Sequence, residues 1–151
     1  ASKEGGQNDW CACTTWYIHE NKFYLIDLLR GRFDYPTLRA RAIAHANAHR
    51  PHRILIEDAG VGTALVSELR RSGLPAIAIK PEQSKVIRMS IESAKFESGL
   101  VLFPRQAPWL GDLEDELFSF PHGRHDDQVD SISQALGDED SFFDTSYSWV
   151  G

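Results

Sequence analysis

Apolar residues along this chain follow two different spacings, and the switches between them mark out strands and helices. Trp10 to Ile18 is dense in aromatic and β-branched residues, which suits a half-buried strand. Glu20-Asn21-Lys22 makes a polar turn, and Phe23 to Leu29 follows as the hairpin partner. The spacing then lengthens. Pro36 suits a first helical turn, where its missing N–H is harmless, and Leu38, Ala42 and Ile43 form the buried stripe of a helix reaching about Ala48. Arg53 to Asp58 holds an unbroken apolar run, as in a strand covered on both faces, and Gly60-Val61-Gly62 turns it into a helix from Thr63 to Ser72, closed by Gly73. A strand at Leu74 to Ile79, a helix at Ser84 to Phe96, a short strand at Leu100 to Phe103 and a helix at Trp109 to Phe118 follow. The last helix ends at Leu136. Its Val129, Ile132 and Leu136 gather on one face, while its opening turn is acidic, with Asp126, Asp127 and Asp130. Residues 138–151 are acidic and aromatic without a period, so they read as a tail on a domain spanning 1–137, either flexible or packed on something outside the domain. The predicted fold is α/β: a central mixed β-sheet with an antiparallel start, then parallel strands, flanked by helices.

Composition narrows the class. The 151 residues are 42% hydrophobic and 25% charged, enough chain for one globular core. No apolar run is long enough to span a bilayer, and Ala1 to Gly6 lacks the apolar stretch of a signal peptide, so a cytoplasmic protein with no membrane contact is expected. The formal net charge of −6 argues against a simple electrostatic nucleic-acid binder. It does not argue against a nuclease, because carboxylates that hold cations count as negative in that sum. Cys11 and Cys13 alternate along a strand and point to one face, which predicts two reduced, buried thiols; with no second cysteine pair they make no zinc site. His45 and His49 have the i, i+4 spacing of a metal pair. Near the end of an alanine-rich helix, without an HExxH context, they are read instead as solvated residues that favour the helix C-terminus.

Chemistry concentrates at two acidic places. Glu57 and Asp58 end the third strand, where α/β sheets place active-site groups, and they point to opposite faces, so only one can join a given cluster. The Gly60-x-Gly62 that follows lacks a third glycine and sits behind two acids that repel a pyrophosphate, which excludes a dinucleotide site. Asp127 and Asp130 lie one turn apart on the final helix. Acids in a first turn are ordinary caps, and Asp126 fits that role as well as it fits metal binding. Together the two places offer oxygen ligands to magnesium or manganese. Lys80, Lys85 and Arg88 form a basic group in an acidic chain, suited equally to solvent and to phosphate. Two acids flanking a cleft also fit a glycoside hydrolase, for which nothing else in the sequence speaks.

The ordered series Ile56-Glu57-Asp58-Ala59-Gly60-Val61-Gly62, Lys85-x-x-Arg88, Glu97-x-Gly99-x-Val101-x-x-Pro104, Trp109-Leu110, Glu116-Leu117-x-x-Phe120-Pro121 and His125-Asp126-Asp127-Gln128-Val129-Asp130 resembles the nuclease domain of the large terminase subunit of phages. The resemblance extends to Leu136 and is far more specific than any acidic pair. It implies an RNase H-like fold similar to Holliday-junction resolvases. It further implies a phage- or prophage-encoded endonuclease that cuts concatemeric double-stranded DNA by two-metal phosphodiester hydrolysis, with Mg2+ or Mn2+. Carried over, Asp58, Asp127 and Asp130 are the catalytic and metal-holding acids and Asp126 is a weaker metal candidate; in such a nuclease the basic group Lys80, Lys85 and Arg88 is expected to touch DNA. The implied partners are the ATPase domain of the same subunit, the small terminase subunit and the portal. The chain itself has no phosphate loop of the Gly-x-x-x-x-Gly-Lys type, so no ATP hydrolysis is expected of it. The family's first aspartate ends a first strand that is expected to lie before Ala1. Asp9 is not a replacement for it, and a DNA-binding or motor-docking module without catalysis is the alternative.

Overall fold

The computed structural model describes residues 10–138 and 145–150. Its elements run β1 (Trp10–His19), β2 (Lys22–Arg32), α1 (Tyr35–His49), β3 (Arg53–Glu57), α2 (Val61–Arg71), β4 (Ala76–Ile79), α3 (Lys85–Glu97), β5 (Val101–Leu102), α4 (Leu110–Ser119), α5 (Asp127–Leu136) and β6 (Thr145–Val150). The sheet order is β4-β3-β6-β1-β2-β5. β1 pairs antiparallel with β2 and β6, whereas β3 pairs parallel with β4 and β6, and β5 runs parallel to β2. The expected mixed sheet is therefore present. One expectation fails: residues 145–150 are not a flexible tail but a strand in the middle of the sheet. Their pattern hides this because Ser148 is fully buried at a position where an apolar residue is the usual signal. Its hydroxyl accepts from Gln134 Nε2 at 2.9 Å, and its carbonyl accepts from Ser131, so polar partners on α5 replace apolar packing.

Strand alternation splits the core into two layers. Cys11 and Cys13 join Leu38, Ala42 and Ala46 of α1, Leu65, Val66 and Leu69 of α2, and Ile54 and Ile56 of β3 on one face. Trp16 and Ile18 join Phe23, Leu25 and Leu28 of β2, Leu113 of α4, and Ile132, Ala135 and Leu136 of α5 on the other. A bulge between Thr15 and Trp16 leaves Ile26 of β2 as the extra residue, which is why Leu25 and Leu28, three apart, both reach the α5 side. Asp27, opposite Thr15, falls on the α1 side, and Arg30, opposite Ala12, falls on the α5 side. Both cysteines are buried and free, as expected. His45 departs from expectation. It is half-buried against the sheet, with Nε2 at 2.9 Å from the Thr15 hydroxyl, and burial pushes its pKa down.

The two glycines after β3 serve different needs. Gly60 takes φ 56°, a left-handed turn that side chains resist. Gly62 instead lets α2 press against the strand end, since a Cβ there would stand 2.0 Å from the Glu57 carbonyl oxygen. Gly62→Ala is therefore expected to push α2 off β3 and to lower stability by about 2 kcal/mol or more, read as a shift in the urea midpoint. Gly111→Ala, with open space around the added carbon, is the matched control and should change stability little.

Candidate metal centre

α5 is buried along its whole length, from Asp127 to Leu136. Such a helix must have its first N–H groups satisfied, and Asp126, the residue in the N-cap position, makes no side-chain cap bond. The cap comes from α4. Glu116 accepts from the Val129 N–H at 2.7 Å and from Gln128 Nε2 at 2.8 Å, and its carboxylate also sits favourably at the positive end of the helix dipole. Further along, Ser131 meets the Thr14 hydroxyl at 2.7 Å, and Gln134 donates to the Trp149 carbonyl at 3.2 Å. These bonds fix α5 against β1 and β6 and so fix where its first turn points.

That turn opens into a cleft of about 310 Å³ lined by Trp10, Glu57, Lys85, Arg124, His125, Asp126, Asp127, Asp130 and Val150. Asp127 is gripped by Arg30, whose Nε and second terminal nitrogen lie 2.7 and 3.2 Å from its two oxygens. The Arg30 guanidinium in turn lies 4.1 Å from the centre of the Trp10 ring, and this carboxylate bond holds its pKa up. Lys85 bridges Asp126 at 3.0 Å and Asp130 at 2.9 Å, and Arg88 approaches Asp130 at 3.5 Å. Burial pushes Asp130 above the ordinary carboxylate range even with Lys85 beside it. Burial likewise raises Glu116. Four carboxylates thus converge on one cavity, and cationic side chains hold part of their charge.

The structure brings Asp126, Asp127 and Asp130 together, but Asp58 does not line this cleft. Its carboxylate accepts from Thr63 at 2.6 Å and lies 3.9 Å from Lys80, at the start of α2. Glu57 lines the cleft instead. The reason is alternation: Ile54 and Ile56 face α1 and α2, so Glu57 faces α5 and Asp58 turns away. An apolar run of three residues conceals that parity, and only the later partner of Ile54 and Ile56 reveals it. Lys85 and Arg88 pair with Asp130, and the exposed Lys80 lies 3.9 Å from Asp58. Arg30 has no role in the sequence reading, and Glu116 stands out there only as part of a motif, with no role of its own. Asp9 lies outside the described residues.

The family model described as the terminase RNaseH-like domain matches residues 1–139. Among solved structures, the large terminase nuclease from thermophilic phage G20c with bound zinc is similar with a TM-score of 0.70 at 22% identity, over 89% of this chain and 77% of that one. At that identity the likeness establishes the fold, a mixed sheet flanked by helices of RNase H-like type. No curated protein matches the chain. Among the described residues, no helix is long and apolar enough to cross a membrane.

Two buried acids with raised pKa, Asp130 in the cleft and Glu116 at the cap of α5, give the protein a pH signature. A carboxyl whose folded-state pKa lies above its unfolded value contributes stability that is complete below the unfolded value and is lost as pH rises through the folded one. The metal-free protein is therefore expected to lose stability as pH climbs from the ordinary carboxylate range through the raised values of Asp130 and Glu116. Asp130→Asn should flatten that slope and, near neutral pH, match or exceed the parent in urea midpoint. A loss beyond about 1 kcal/mol would mean that the Lys85 and Arg88 pairing outweighs the burial of the charge.

Proposed function

The chain belongs to the terminase RNaseH-like domain family, and from that premise we propose that it is a metal-dependent endonuclease domain that cuts double-stranded DNA during genome packaging. The observation that carries the reading is the convergence of Glu57 with Asp126, Asp127 and Asp130 on one cavity at the carboxyl end of β3. The donor set fits hard divalent cations, because carboxylate oxygens are the ligands magnesium and manganese prefer. Lys85, bridging Asp126 and Asp130, marks a place where positive charge is already held between two acids.

In the proposed mechanism Glu57, Asp127 and Asp130 hold two cations of the magnesium or manganese class, with Asp126 at the outer edge. Cations of that class held by these carboxylates would provide an activated water and charge compensation at the leaving oxygen of an in-line displacement. Asp58, engaged with Thr63, yields the strand-end role to Glu57. Arg30 fixes the plane of the Asp127 carboxylate through two bonds, so that ligand is oriented before any substrate arrives. Lys85 and Arg88 hold Asp130 in the cation's absence and, released from it, stand at the cleft to contact a phosphate. Arg124 and His125 line the same cleft and extend this polar border. By family membership, the ATPase domain of a terminase subunit, the small subunit and the portal are the proposed partners, in a phage-infected or lysogenic bacterial cytoplasm.

A second reading draws on Val150. Among the described residues, the one that β6 brings to the cleft is the apolar Val150, not a further carboxylate. In this reading the domain binds DNA or docks on a motor without cutting.

Plasmid cleavage distinguishes the two. With Mn2+ or Mg2+ the chain is expected to nick and linearise supercoiled DNA, and chelator should abolish this. Glu57→Gln and Asp127→Asn should each slow it by roughly a hundredfold, and Asp58→Asn much less. Cleavage that persists in chelator and in both variants would sink the proposal. DNA binding with no cleavage under any metal would establish the second reading.

A further inference from the structure

On the opposite face of the sheet from the acidic cleft lies a second group of metal-binding side chains. Asp27 of β2 and His45 and His49 of α1 each offer a ligand atom, and the three atoms lie within 4.8 Å of one another. The geometry follows from two local patterns. The i, i+4 spacing stacks the two imidazoles on one helical face, with ring centres 4.7 Å apart. The bulge beside Thr15 fixes Asp27 on the α1 side of β2, directly across from Thr15. The Thr15 hydroxyl, itself fully buried, then sits 2.9 Å from Nε2 of His45 and sets the plane of that ring. His49 closes the triangle, its Nε2 being 3.7 Å from the Asp27 carboxylate.

We propose that Asp27, His45 and His49 form a binding site for a borderline divalent cation of the zinc, cobalt or nickel class, separate from the acidic cleft. Two imidazoles and one carboxylate are a ligand set that such cations favour and that magnesium and calcium, which take oxygen, do not. The parts come from elements already held in place: β2 sits inside the sheet, and α1 is anchored by Leu38, Ala42 and Ala46 in the core. Binding therefore orders few further side chains, and the ring of His45 is already oriented by Thr15, the outer contact that tunes ligands in such sites. The site joins the last turn of α1 to the middle of β2 and leaves an edge open to solvent, since His49 is exposed. Its role is structural: a cation there ties the helix that covers one face of the sheet to the strand that carries Arg30 on the other. A hydrolytic role is not part of the proposal.

The site and the cleft are distinguished by their ligands. Cobalt titrated into the full chain, with magnesium present at saturating concentration to compete for the carboxylate cleft, is expected to give one bound equivalent with the visible absorption of imidazole-ligated Co2+. Affinity should fall roughly tenfold or more in His49→Ala and in Asp27→Asn, and His125→Ala, which alters only the cleft, should leave it unchanged. Thermal unfolding gives a second reading: zinc should raise the midpoint of the wild-type chain and of Glu57→Gln alike, and raise that of His49→Ala by less. Cobalt binding of wild-type strength in both His49→Ala and Asp27→Asn would overturn the proposal, as would a wild-type chain that shows no imidazole-ligated cobalt spectrum. Because His49 is exposed, its replacement is not expected to disturb the fold, so a loss of binding there reports on the ligand itself.

Discussion

A helix buried on every side cannot begin with carboxylates unless other groups meet both their charge and its unpaired N–H groups. α5 satisfies this by borrowing. Glu116 from α4 supplies the cap, Arg30 from β2 and Lys85 and Arg88 from α3 supply the countercharge, and Ser131 and Gln134 spend their own polarity on β1 and β6. The rest of the molecule is arranged around that requirement. Each partner arrives on a different element, so the position of α5 is over-determined, and its first turn is held at the cleft with little freedom to retreat. Asp126, relieved of capping, is left available to face Lys85 and the cavity.

The fold was largely legible because most elements announce themselves by period: the hairpin, the apolar strands and the helical stripes all match their places. β6 was not legible, since a buried serine in a strand carries no apolar signal and its partners, Gln134 and Ser131, are polar residues of a helix distant in the pattern. The cleft was legible in part. Asp127 and Asp130 follow from spacing on one helix, which is a local property. Glu57 against Asp58 is decided by which face of β3 the helices α1 and α2 cover, and that is a tertiary fact invisible in Ile54-Leu55-Ile56. The roles of Arg30 and Glu116 were hidden for the same reason: an arginine late in a strand and a glutamate on an amphipathic helix are ordinary until their partners, 97 and 12 residues away, are known.

The two faces of the sheet treat charge differently. On the α5 side, acids are matched by guanidinium and ammonium groups, and strong ion pairs hold the carboxylates in place. On the α1 side, Asp27 meets imidazoles and a hydroxyl-anchored ring. Alternation along β2 separates these environments, for Asp27 and Arg30 are three residues apart in unbroken register and point to opposite faces, while the bulge at Ile26 returns Leu25 to the face of Leu28. One strand thus carries two chemistries.

β6 has a consequence for how the molecule comes into being. The hairpin of β1 and β2, and the unit of β3, α2 and β4, are each built from neighbours in sequence and can form while the chain is still being synthesised. In the sheet order, β6 stands between them. Val150 pairs with Ala12, a contact between residues far apart in sequence, and such long-range closures are slow steps of folding. Glu57 lies on one side of that seam and Trp10 and Arg30 on the other. The acidic cleft is accordingly complete only with β6 in place, since that strand joins the two pieces that carry its walls.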